Sequence, residues 1–133
     1  MRIDGWDDRL LAVIERHGAA AYAPGVTDCF MLAMDAAEAL TGSRPYAVGY
    51  KSDAGAMRTL RKRGFSSLRE AIAAVYPERP AGHWQRGDIA ILAAPTATGD
   101  TLGLVYGAVV LCRRGHQLLQ LPPSSALAVY AVD

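Results

Sequence analysis

Two cysteines and three histidines are the residues of this chain best suited to nucleophilic and acid–base chemistry: Cys29, Cys112, His17, His83 and His116. Cys29 is the one whose setting activates a thiol. It follows Thr27 and Asp28, either of which can cap a helix, and it opens a mostly apolar run to Leu40. A cysteine in the first turn of a helix sits among backbone N–H groups without intrahelical partners, at the positive end of the helix dipole. Both effects stabilise a thiolate and lower its pKa. The same N–H groups can hold the oxyanion of an acyl-transfer intermediate. The plainer alternative is a small buried hydrophobe. Cys112 lies in an apolar strand-like run, and a bridge between two such different settings is not expected.

A cysteine nucleophile also needs a group that takes its proton and one that protonates the leaving group. Leu102 to Cys112 reads as one strand. At about 3.3 Å per residue, His116 in the hairpin beyond it is expected roughly 30 Å from the strand's start. His83 precedes the first strand and falls at the same far end of an antiparallel pair. His17 ends the first helix, only a short loop from Cys29. It is the least distant substitute base, and otherwise a cation at a helix C-terminus. Asp28 reads as a helix cap whose charge would oppose thiolate formation. Tyr22 and Tyr106 are expected in one cleft, with cross-strand packing the alternative for Tyr106. Histidines without paired spacing and without a companion cysteine predict no metal site, and no cofactor motif is present.

The elements that must position these groups divide the chain in two. Trp6 to His17 has helical spacing, with Gly18 as its stop. Cys29 to Leu40 is apolar nearly all round and predicts the most buried helix. Ser52 or Asp53 caps a third helix to about Arg63, and Ser66 or Ser67 a short fourth to about Tyr76, closed by Pro77. Strands follow at Asp88–Ala93, Leu102–Cys112, Gln117–Leu121 and Ala126–Val132. Helices followed by an antiparallel meander predict an α+β fold, a single domain over residues 1–133 with one sheet face on the buried helix.

Composition narrows the function classes. The chain has 133 residues, 51% of them hydrophobic, and a net charge of +1. That excludes disorder and argues against a nucleic-acid binder. The local excess of Arg58, Arg61, Lys62, Arg63 and Arg69 reads as a solvated helix face. The charged start MRIDGWDDRL lacks a signal-peptide core, and no stretch approaches the roughly twenty apolar residues of a membrane span. A cytoplasmic chain on synthesis is expected, with later export by another route left open.

Three segments carry a resemblance. Tyr22, Gly25, Asp28 and Cys29 are similar, in order, to the nucleophile motif of the NlpC/P60 cysteine peptidases, a papain-like family. Gln85-Arg86-Gly87-Asp88 and the apolar run after it resemble the strand that follows the helical half in that family. Leu102-Gly103-Leu104-Val105-Tyr106-Gly107 resembles the strand that carries its catalytic histidine. The match covers about residues 5–121 and looks closest to a small branch found in phage and prophage tail-gene clusters. The resemblance implies a papain-like α+β fold with Cys29 as nucleophile. It places the general base at Thr101 and the orienting residue near Leu119 or Gln120. Threonine cannot act as a base near neutral pH. Two readings follow. One is a degenerate domain serving as a tail or particle assembly module, virion-associated and partnered by particle proteins. The other is an active hydrolase of cell-wall (peptidoglycan) peptide that uses Cys29 with an atypical base. A third, a cleft that binds peptide or acyl groups without cleavage, also stays open.

Overall fold

The computed structural model describes residues 1–133. Four helices, α1 (Trp6–Ala19), α2 (Cys29–Thr41), α3 (Asp53–Lys62) and α4 (Leu68–Ala73), precede five strands. The strands are β1 (Ile89–Ala93), β2 (Asp100–Tyr106), β3 (Val109–Arg114), β4 (Gln117–Leu121) and β5 (Ala126–Tyr130). They form one antiparallel sheet in the order β4-β3-β2-β1-β5. The fold is α+β, as expected. The sheet is not a simple meander, because β5 crosses back to pair with β1 at the opposite edge.

Helix α2 is the centre of the core. Nine of its thirteen residues are buried. Leu10 and Val13 of α1 cover one side, while Ile89, Ile91, Leu102 and Leu104 of the sheet cover another. Its limits follow from side-chain chemistry. Asp28 accepts a hydrogen bond from the Met31 N–H at the start, and Gly42 ends the helix in the left-handed region at φ 79°. Ser52 and Ser67 cap α3 and α4 in the same way. The opposite sheet face carries a smaller apolar cluster that includes Val105, Val110, Cys112 and Val129.

Two sequence readings change here. Gly18 does not stop α1, which runs through it to Ala19. The end of the helix is instead held by the buried Arg113 of β3, whose guanidinium donates to the carbonyls of His17 and of the cap residue Ala20. The second change concerns Leu102–Cys112, which is two strands rather than one. Gly107, at φ 66°, turns the chain within two residues, so that Tyr106 faces Val109 across a hairpin. Strand β3 therefore runs back toward the start of β2.

Two acidic residues join distant parts of the chain. Asp88 has no exposed surface and accepts from Arg79 Nε at 2.7 Å, the Gln85 N–H at 2.8 Å, Arg2 at 3.3 Å and the Val132 N–H at 3.3 Å. It fixes the approach to β1 and both ends of the chain. Asp35 of α2 binds His17 Nε2 and Arg44 at 2.7 Å each and Arg16 at 2.9 Å. His17 is only 1% exposed, so its ring belongs to the α1–α2 seam. Asp35 lies six residues beyond Cys29, about 9 Å along the helix. The structure thus corrects the assignment of His17 as a substitute base.

Burial alone would raise the Asp35 pKa, but hydrogen bonds from His17, Arg44 and Arg16 outweigh it and hold the value at about 2, below the ordinary 3.8. The folded-state value is depressed, so this stabilisation is present above about pH 4 and is lost as the pH falls toward 2. Asp35→Asn is expected to cost roughly 1–2 kcal/mol near neutral pH, discounted for partial exposure. Urea unfolding curves of the two proteins should converge as the pH is lowered through that window.

Candidate functional site

The loop between α1 and α2 is tied down by hydrogen bonds that converge on Asp28. Its Oδ1 accepts from the Met31 N–H at 2.8 Å, and its Oδ2 accepts from the Gly25 N–H at 2.8 Å and the Tyr50 hydroxyl at 2.6 Å. Gly25 is at φ 80°, and a Cβ there would lie 2.0 Å from the Tyr50 carbonyl oxygen. Only glycine fits that close approach. Tyr22 donates its hydroxyl to Asp53 Oδ1 at 2.5 Å, and its backbone N–H to His116 Nδ1 at 2.9 Å. Three segments, the α1–α2 loop, residues 50–53 and the turn at His116, are thereby fastened around the first residue of α2.

That residue, Cys29, is half-buried and reduced. It lies on a cleft of about 890 Å³ whose lining includes Tyr46, Met57, Phe65 and Thr101. One wall is α3, another the segment 94–98, and a third the stretch from Cys112 to Gly115 at the end of β3. The N–H groups of Cys29 and Phe30 precede the first intrahelical bond, from the Leu32 N–H to the Asp28 carbonyl. A ligand carbonyl has donors there to meet.

The electrostatics of the thiol run against activation. Burial pushes the Cys29 pKa up; hydrogen bonds from the Thr101 hydroxyl and the Leu102 N–H oppose this, and the Asp28 and Cys112 charges add to it. The net direction is upward. The phenols of Tyr22 and Tyr50 are also raised, first by burial and then by the carboxylates of Asp53 and Asp28 respectively. The site holds protons near neutral pH.

The structure brings Cys29, Thr101, Tyr22 and Asp28 together. It separates Tyr106 and Gln120 from them. Tyr106 stands at the Gly107 end of β2 with the Arg86 guanidinium 4.8 Å from its ring centroid, away from the cleft. Gln120 is exposed on the edge strand β4 opposite Leu111, roughly 10 Å and two strands from β2. The strand beside β2 is β3, so Cys112 and the residues after it, not Leu119 or Gln120, flank the start of β2. His116 moves the other way. The hairpin at Gly107 returns it to the Thr101 end, against Tyr22, instead of some 30 Å distant. Tyr50 and Asp53 take part in contacts that span loops with no periodic signal; in the sequence Asp53 reads only as a helix cap. No group of three His, Cys, Asp or Glu side chains is arranged to hold a metal ion. No helix is long and apolar enough to cross a membrane.

These features define an α+β protein with a cysteine at the mouth of its central helix and an apolar cleft beside it. Residues 1–132 match the family described as a domain of unknown function, DUF6950, and the chain belongs to that family. No curated protein and no solved structure matches it.

The packing at Gly25 predicts a sharp asymmetry between loop glycines. Gly25→Ala is expected to lose at least about 2 kcal/mol, from the left-handed φ and the Tyr50 collision. Gly49→Ala, where nothing lies within 4 Å, should stay within about 0.5 kcal/mol of the wild type. Urea denaturation of the two variants checks this.

Proposed function

We propose that this protein is an NlpC/P60-like, papain-type domain in which the cleft binds a partner segment and the cysteine no longer cleaves it, so that it acts as a tail or particle assembly module. The observation that carries the reading is that Thr101, at the position where the resemblance would put the catalytic imidazole, lines the same cleft as Cys29. A hydroxyl can stabilise a thiolate but cannot accept its proton near pH 7. Helix-start N–H groups remain able to hold a carbonyl, and the apolar lining remains able to take side chains, so recognition survives without turnover. The particle setting comes from the resemblance of the three motifs. The order of the elements, with the cysteine helix ahead of the sheet, is compatible with it.

A second reading, an active hydrolase of cell-wall peptide, draws on His116. Its Nδ1 accepts from the Tyr22 N–H at the cleft rim, which leaves Nε2 free. For this reading the ring would need to swing inward to Cys29 when substrate binds.

The pH dependence of Cys29 alkylation by iodoacetamide, in a Cys112→Ala background, separates the two. The binding reading expects a rate that stays low until roughly pH 8.5 or above, unchanged by His116→Ala. Saturation below about pH 6, lost in His116→Ala, would establish an activated thiolate and sink it. Thr101→His should restore an imidazole beside the sulfur and move the alkylation midpoint down by one pH unit or more, roughly.

A further inference from the structure

The most strongly charged surface of the molecule lies on and just before α3. Between residues 51 and 63 the chain carries Lys51, Arg58, Arg61, Lys62 and Arg63 against one acid, Asp53. That leaves nine basic and twelve acidic residues elsewhere, so a nearly neutral chain concentrates its positive charge here. All five cations are exposed, and none takes part in a salt bridge. The single acid among them is engaged by the Tyr22 hydroxyl.

The placement of these charges is specific. Lys51, Arg58, Arg61 and Lys62 line a shallow hollow of about 710 Å³. Tyr50 and Thr59 line both this hollow and the Cys29 cleft, so the two share a wall. That wall is α3, which turns Met57 and Leu60 toward the cleft and its arginines away from it. Arg63 borders the cleft itself, with its guanidinium 5.5 Å from the Tyr46 ring centroid.

We propose that α3 is a docking rail for an extended acidic segment of a partner protein, which lays apolar side chains into the Cys29 cleft and carboxylates over Lys51, Arg58, Arg61 and Lys62. This rests on the reading of the cleft as a binding site and names the chemistry of its partner. An extended strand sends successive side chains to opposite sides, so alternating acidic and apolar residues meet the hollow and the cleft together. The ten residues of α3 span about 15 Å, the length of roughly five strand residues. A nucleic acid fits less well, because every repeat of its backbone carries charge and it offers no aliphatic side to the cleft.

The test is fluorescence polarization with labelled peptides of about twelve residues, alternating Leu with Glu, Leu with Lys, and Ser with Glu. Leu–Glu should bind the full chain, and its affinity should fall severalfold when salt is raised from about 0.05 to 0.2 M. Arg58→Glu, Arg61→Glu and Lys62→Glu together should weaken it at least tenfold or so, whereas Arg86→Glu, at the far end of the sheet, should change it less than about twofold. Bound Leu–Glu peptide should also slow Cys29 alkylation. Ser–Glu binding as tightly as Leu–Glu, an oligothymidylate binding more tightly than either, or no binding below about 1 mM would each overturn the proposal. An alkylation profile that saturates in acid removes the inert-thiol reading and leaves the polarization result standing. Flat polarization with an unreactive Cys29 does the reverse.

Discussion

The near-complete burial of α2 is the constraint on which the rest of this structure depends. A helix with nine of thirteen residues buried cannot be satisfied by one neighbour. Here α1 covers one flank with Leu10 and Val13, and the inner faces of β1 and β2 cover the other. Each large aliphatic side chain buried in that seam contributes about 1.5–3 kcal/mol relative to exposure, so loss of either cover would be decisive in a domain this small. The polar contacts along α2 follow from the same burial. Asp35 lies where α1 and α2 meet, and it is compensated by His17, Arg16 and Arg44 rather than by solvent. A helix held on all sides has fixed ends, and this makes the first residue of α2 a fixed point at the surface.

What stands at that point is governed by a contest of small electrostatic effects. A helix N-terminus favours an anion by about 0.3–1 kcal/mol at an exposed site. Against it stand the desolvation of the Cys29 sulfur and the charge of Asp28 next to it. Asp28 cannot be dispensed with, because it caps α2 and anchors both Gly25 and Tyr50. The group that makes the loop rigid thus also opposes a thiolate. An imidazolium close by would reverse that balance, and a hydroxyl does not.

Much of this architecture was legible residue by residue. Of each pair of candidate caps one holds the helix start, Asp28, Ser52 and Ser67, and the change from helices to strands at Asp88 is legible as a change of texture. The hairpin was not. Gly103 and Gly107 punctuate the same apolar run and look alike in sequence, but they do different things. Gly103 lets β2 and β3 approach closely, since a Cβ there would lie 2.7 Å from Val110 and 3.0 Å from the Leu111 carbonyl oxygen. Gly107 turns the chain. Without a flanking Asn or Asp to mark the turn, periodicity alone reads straight through it. That one reading displaced His116, Gln120 and the partner strand of β2 together, because register is set entirely by where a hairpin turns. The bonds of Tyr50 to Asp28 and of Asp53 to Tyr22 are hidden for a different reason: they are long-range loop contacts, which no local pattern encodes.

The meeting of the chain ends has a consequence of its own. Arg2 Nε donates to the Val132 carbonyl at 3.0 Å and lies 3.5 Å from Asp133, and both ends lean on Asp88. The two ends of the fold are therefore within reach of one arginine side chain. A fold with its ends side by side can be spliced into a surface loop of a host protein without prying that loop apart. Equally, its ends can be joined by a short linker and the ring reopened elsewhere, for instance in the segment 94–98, with the helix-and-sheet packing left whole. The same proximity lets successive copies be strung on one chain, each hanging from a single stalk of paired ends.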